Sequence, residues 1–511
     1  MTAELVLKEK GDFSDRINPI VVKELRQAVQ SRFVIAAMLT LLSVQLAAIG
    51  IYILASGASL FGFYAGQQSF MLLFGVLQAI GVIFVPLYTG ARLAAERSDT
   101  NVDLLFITTI KPRSVIAGKM FAAMTLTALI YSACMPFMAF TYFLRGIDLP
   151  SIFISLGVGF VTVVACAQLA VFVACMPIGR AFKVIFGLVA MTVFGVIYFG
   201  TMAGVNVIVH RGVFGRDFWG IMTTIGLVIC FLVGLFFVMS VAQIMPAASN
   251  RALPVRLFIT AAWLLAGAAA GAGSVTINDD WPMVLWLVAF EIVFALALFA
   301  AVSERDRPGR RVTRSIPKSL LGRAQAFFFF SGAASGVAWA SVMIVLTLAV
   351  VWVWAQAVPR YGNVGDLVDG AKWMGGMCLY FFCYAMTGAL LRRVLFSRVG
   401  TELTWLIGVS LLLVGSVTPF LIGYIVFFKD QWWSEDFGAW WVGNPFVWNY
   451  KGHRVLYASV AGVWAALVAA LSLPWFIERV QRFKHPSQVA ADDAIEPAPR
   501  AMATVFSTND E

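Results

Sequence analysis

Twelve continuous apolar runs, each near the length needed to cross a bilayer as a helix, limit the folds open to this chain more than any other feature. They lie at about Phe33 to Ala55, Phe70 to Ala95, Ile116 to Leu144, Ile152 to Met176, Val184 to Val209, Phe218 to Met245, Val255 to Gly273, Trp281 to Val302, Val337 to Trp354, Met374 to Phe396, Leu403 to Phe428 and Val455 to Ile477. A helix needs about 20 apolar residues to bridge a hydrocarbon core of roughly 30 Å. Strands of a membrane barrel are nearer ten residues and alternate in polarity, which these runs do not. A chain of 511 residues that is 60% hydrophobic and 13% charged also departs from soluble composition. The expected fold class is all-α, a polytopic helical membrane protein with about twelve transmembrane helices.

The basic residues set the expected orientation. With the N terminus inside, 29 of the 37 Lys and Arg residues fall in inner segments, including the block Arg305, Arg307, Arg310, Arg311, Arg314, Lys318 and Arg323. Cytoplasmic loops carry such an excess, so both termini are expected in the cytoplasm. The net charge of +10 is spread over loops that flank the membrane, without an aromatic groove among the bases. Lipid headgroups are therefore the expected anionic partner, and nucleic acid is not. The first apolar run is too long, and the charged segment before it too extended, for a cleavable signal peptide.

The chain divides into a cytoplasmic N-terminal segment over 1–32, a six-helix domain over 33–245, a connector over 246–254, a second six-helix domain over 255–485 and a tail over 486–511. The tail is rich in Ala, Pro and Asp and reads as disordered. Asn18 and Pro19 read as cap and first residue of a helix whose apolar side is Val22, Leu25 and Val29. That helix is expected along the inner interface, with Lys23, Glu24, Arg26, Gln27 and Gln30 facing water. Six spans per half let both halves enter the membrane in the same direction, as a parallel duplication requires. The segment Ser303 to Arg323 occupies the place in the second half that Glu96 to Lys119 occupies in the first.

The loop Glu96 to Lys119 is the most structured-looking connection. Val102, Leu105, Phe106 and Thr109 fall at i, i+3, i+4 and i+7, so a short helix there carries one apolar stripe. Asp99 and Asp103 lie near its start and Lys111 and Arg113 beyond its end, the order that suits the helix dipole. So short a helix is marginal alone, and its stripe needs a surface, either the membrane or a partner.

These residues carry a family resemblance. Glu96-Arg97, Asp103-Leu104-Leu105-Phe106, Thr108, Pro112-Arg113 and Gly118-Lys119 resemble, in order and spacing, the signature between the second and third spans of type-2 ABC transporter permeases. Thr100-Asn101 stand where Gly-Thr is usual and Thr109 where Pro is usual. Asn18-Pro19-Ile20 and Lys23-Glu24-Leu25-Arg26 look like the family's interfacial helix. The resemblance covers roughly the first 250 residues. It implies that the loop is a coupling helix seated on a separate ATPase subunit. The partner-binding set would then be Glu96, Asp103, Leu105, Phe106, Thr108, Gly118 and Lys119, with Asp103, Leu105 and Phe106 in direct contact. It also implies an exporter in a bacterial cytoplasmic membrane, alongside lipids and either a second copy or another permease subunit.

No ATPase motif lies in the chain, since Gly118-Lys119 is followed by Met120 and lacks the upstream glycine of a phosphate loop. No cofactor, metal site or catalytic residue is expected. His210, His453 and His485 are scattered, which disfavours a membrane-embedded enzyme on lipid-linked substrates. The six cysteines all lie in apolar runs and read as packing residues. Glu291 lies mid-span, where a carboxylate costs at least ~2.5 to 3.5 kcal/mol on insertion scales. It reads either as a transport-path residue, as an ion-coupled carrier would need, or as a buried structural hydrogen bond. Gln45, Gln78, Gln168 and Asn206 read as interhelical glue. The Trp-rich stretch from Lys429 to Arg454 reads as an outer aromatic belt, with lipid or glycan contact as the alternative.

Overall fold

The computed structural model describes residues 19–56, 64–98, 111–176, 179–212, 216–246, 248–305, 309–357, 364–427, 441–447 and 454–487. Among these residues the secondary structure is helical, with no strand, and twelve helices are long and apolar enough to span a membrane. The protein is a multi-pass helical membrane protein. The chain forms two units, residues 1–246 and 247–511.

In the first unit the short helix α1 (Pro19–Val29) precedes six spans: α2 (Arg32–Ser56), α3 (Ala65–Ser98), α4 (Pro112–Phe143), α5 (Leu149–Cys175), α6 (Arg180–Arg211) and α7 (Arg216–Ile244). Helix α3 is central and packs on α2, α4, α5 and α6. Its Phe70, Leu73, Phe74 and Leu77 join Cys134 and Met138 of α4 and Val163 and Cys166 of α5 in one core. The polar glue lies inside it: the Tyr131 hydroxyl donates to Gln78 at 2.7 Å and Gln168 donates to Ser240 at 3.3 Å. Gly159 makes the first bond feasible, because a Cβ there would stand 2.7 Å from the Gln78 oxygen and 2.8 Å from the Tyr131 hydroxyl. Asn206 departs from expectation; it lies on an exposed face of α6. Five cysteines are buried, and Cys230 of α7 is exposed.

The second unit holds α8 (Ala252–Ile277), α9 (Trp281–Ala301), two short helices α10 (Arg310–Thr313) and α11 (Leu320–Phe329), then α12 (Ala333–Ala357), α13 (Val364–Val394), α14 (Thr404–Phe427) and α15 (Arg454–Arg482). Helix α8 ends on Asn278 in the left-handed conformation, a common helix stop. Numbered by span within each unit, every pair of spans packed in the second unit is also packed in the first: 1 with 2, 2 with 3, 4 and 5, 3 with 4 and 6, and 4 with 5 and 6. The two halves share one packing plan. Most of the Trp-rich stretch lies outside the described residues; of its described aromatics, Trp441 is buried at 4% exposure and Phe446 packs against Phe381.

Candidate functional site

Helix α3 has 34 residues, about 51 Å at 1.5 Å per residue, so it outruns a hydrocarbon core of roughly 30 Å. The excess carries Arg92 and Glu96 past the apolar zone. Helix α4 begins at Pro112, whose missing N–H and fixed φ suit a first helical position. Gly118 and Lys119 lie within this helix, as the run from Ile116 implies, and Glu96, expected in the loop, belongs to the last turn of α3. Asp103, Leu105, Phe106 and Thr108 lie outside the described residues.

The two helix ends are locked to α1 by a cluster of charges. The Lys119 ammonium sits 3.0 Å from Glu24 Oε1 and 2.7 Å from Glu96 Oε2. Arg92 Nε lies 3.4 Å from the other oxygen of Glu24. Arg92 also donates to the Tyr88 hydroxyl at 2.8 Å and to the Gln27 side chain. Two cations meet two carboxylates, so the cluster is neutral overall. Lys119 is 5% exposed and Glu24 6%, which places the pair well inside the protein. Such burial is tolerated when each charge keeps a close partner.

Glu24 is the residue the sequence pattern misplaces. Helix α1 buries Val21, Glu24 and Ala28, while Val22 and Leu25 are half-buried. Its inner face packs on α4. Periodicity assigns a charged side chain to water; a partner 95 residues away overrides that assignment. The available signal was the row of Tyr88, Arg92 and Glu96 at four-residue spacing, which puts a basic and an acidic group on one face of α3.

The cluster has no room for a substrate. The cavity beside it, lined by Glu24, Tyr88, Thr89, Arg92 and Lys119, is about 10 Å³, close to the space of one water. What the arrangement can do is mechanical, since it fixes the separation of the two helix ends that bracket residues 99–110. Gly118, next to Lys119, is buried.

Glu291 of α9 is fully enclosed, and its Oε2 lies 3.1 Å from the Cys378 thiol of α13. Its other oxygen has no partner in the structure. Among the described residues no group of three His, Cys, Asp or Glu side chains could hold a metal. Comparison of the chain with protein-family models, with curated proteins and with solved structures gives no match.

Proposed function

We propose that the chain is the membrane-spanning permease subunit of an ATP-driven exporter, working with a separately encoded ATPase in a bacterial cytoplasmic membrane. The observation that carries this reading is the Glu24–Lys119–Glu96 cluster. A loop that transmits force from an ATPase to membrane helices must be mounted on helix ends that do not slip past one another. Charge pairs between α1, α3 and α4 provide such a mount at both ends of the segment with the permease signature. In this reading both termini and the segment 99–110 are cytoplasmic, in keeping with the basic residues. The enclosure of Glu291 favours its role as a structural bond over that of a coupling carboxylate in an ion-driven carrier.

Copurification tests the proposal. A charge at Phe106 would be desolvated unpaired on docking, at a cost of several kcal/mol. Phe106→Asp is expected to insert normally and to lose the ATPase and ATP-dependent transport, whereas Lys111→Ala keeps both. A Phe106→Asp protein that retains a coupled ATPase, or a wild type that never binds one, refutes the assignment.

A further inference from the structure

Residues 441–447 connect α14 to α15, yet they do not lie at the end of these helices. Helices α13 and α15 run in the same direction, with the Tyr380 hydroxyl donating to the Tyr457 carbonyl at 3.3 Å and the Trp464 indole to the Thr387 hydroxyl at 3.0 Å. That register sets the start of α15 level with about residue 377 of α13, so α13 continues toward Val364 for about 20 Å beyond it. Segment 441–447 reaches past the start of α15, because its partners Phe381 and Tyr384 on α13 are level with about residues 458 and 461 of α15. The Tyr384 hydroxyl donates to the Gly443 carbonyl at 2.8 Å, and the Asn444 amide donates to the Ser416 carbonyl at 3.3 Å. Ser416 adjoins Gly415, which stands eleven residues after Thr404 and twelve before Phe427, at the midpoint of α14. The segment therefore reaches about half the depth of the membrane.

Irregular backbone survives at that depth only where protein buries it or where it borders a cavity. Both conditions hold. Trp441 and Asn444 are 4% and 5% exposed, and Asn444 Oδ1 accepts from the Phe446 N–H at 3.0 Å. Gly443 adopts a φ of 104°, which a side chain would strain. Beside it lies a cleft of about 320 Å³, lined by Val414, Thr418, Pro419 and Ile422 of α14, Val442 of the segment and Tyr384 of α13. Pro419 cannot bond the Gly415 carbonyl four residues back, which loosens α14 where the cleft is cut.

We propose that this cleft holds one acyl chain of a membrane phospholipid. Its walls are mainly apolar; of the two hydroxyls that line it, that of Tyr384 is already engaged by the Gly443 carbonyl, and that of Thr418 stands on an exposed face of α14. Val414 is 60% exposed, so the cleft opens on the side of α14 that faces hydrocarbon. Left empty, such a space forfeits dispersion contacts along its whole lining. Its volume matches the lower end of ligand pockets, roughly 300 to 1,000 Å³.

The test uses the full chain in vesicles of phosphatidylethanolamine and phosphatidylglycerol with a trace of phosphatidylglycerol bearing a photoreactive diazirine midway along one acyl chain. After illumination, adducts are mapped by mass spectrometry. Val442 is expected to label several-fold more than the lipid-facing Val463 of α15, 62% exposed, which reports bulk lipid. Thr418→Trp fills the cleft from an exposed position and is expected to abolish the excess at Val442 while Val463 is unchanged. Labelling of Val442 at or below that of Val463, or an excess that Thr418→Trp leaves intact, overturns the proposal. So does labelling that appears only when a dimer is diluted to monomer, since a second copy would then be the occupant.

Discussion

The two units share a packing plan and each buries a basic side chain at a carboxylate, but they fasten different things. In the first unit Lys119 and Arg92 join helix to helix, and the pairs fasten the helix ends on either side of residues 99–110. In the second, Arg256 of α8 is 3% exposed and reaches both oxygens of Glu304 at 2.6 Å. It also donates to the Phe328 and Phe330 carbonyls at 2.9 and 2.7 Å and to the Ser335 hydroxyl at 3.1 Å. Glu304 in turn accepts the Gly332 N–H at 2.7 Å. Arg256 thus straps the descending connection itself to α8. Nearly the same topology yields a mount in one half and a strap in the other, so equivalent positions between the second and third spans are not equivalent in what they leave free to meet a partner.

Four substitutions sharpen or break that contrast. Arg256→Met is expected to have the largest effect, about 3 to 5 kcal/mol, because it leaves a carboxylate and two backbone carbonyls without their cation. Thermal unfolding in detergent reads it, and an unchanged midpoint would remove the strap from the comparison. Lys119→Met leaves Glu24 and Glu96 facing each other, but Glu96 is 35% exposed in its side chain and is partly screened by water, so the loss is expected to be smaller, about 2 to 3 kcal/mol. If the proposed ATPase partner binds here, its distinguishing mark is loss of copurification at a temperature where the protein is still folded. Glu24→Gln retains the Lys119–Glu96 pair and is expected to cost about 1 kcal/mol, read as earlier proteolysis of α1. Glu402→Gln breaks only an exposed pair with Arg305, with side chains 62% and 72% exposed, and is expected to change stability by less than about 1 kcal/mol. A larger effect there than at Lys119 would invert the ranking on which the comparison rests.

The spans were legible because apolar length alone identifies them, and the helices α2 to α9 and α12 to α15 lie where the runs lie. What periodicity could not supply was the direction in which a polar residue faces when its partner is remote. Glu24 was assigned to water and Asn206 to the interior; each lies on the other side, because α1 meets a cation of α4 while α6 turns Asn206 outward. Trp441 was grouped with an interfacial belt for a similar reason. Tryptophan near the end of a span usually marks the membrane surface, whereas Trp441 is 4% exposed and so is packed within the protein. The proposed coupling residues Asp103, Leu105, Phe106 and Thr108 rest on the sequence alone, whereas Glu96 and Lys119 are joined by an ion pair.

The distance in sequence between Glu24 and Lys119 bears on how the protein is made. Translation delivers α1 before any span, and its buried carboxylate has no cation to meet until α3 and then α4, 95 residues later, have entered the bilayer. Helix α1 emerges ahead of the spans of its unit and is thus among the later of its helices to settle, and resistance of α1 to protease on a stalled nascent chain would time the arrival of the third span.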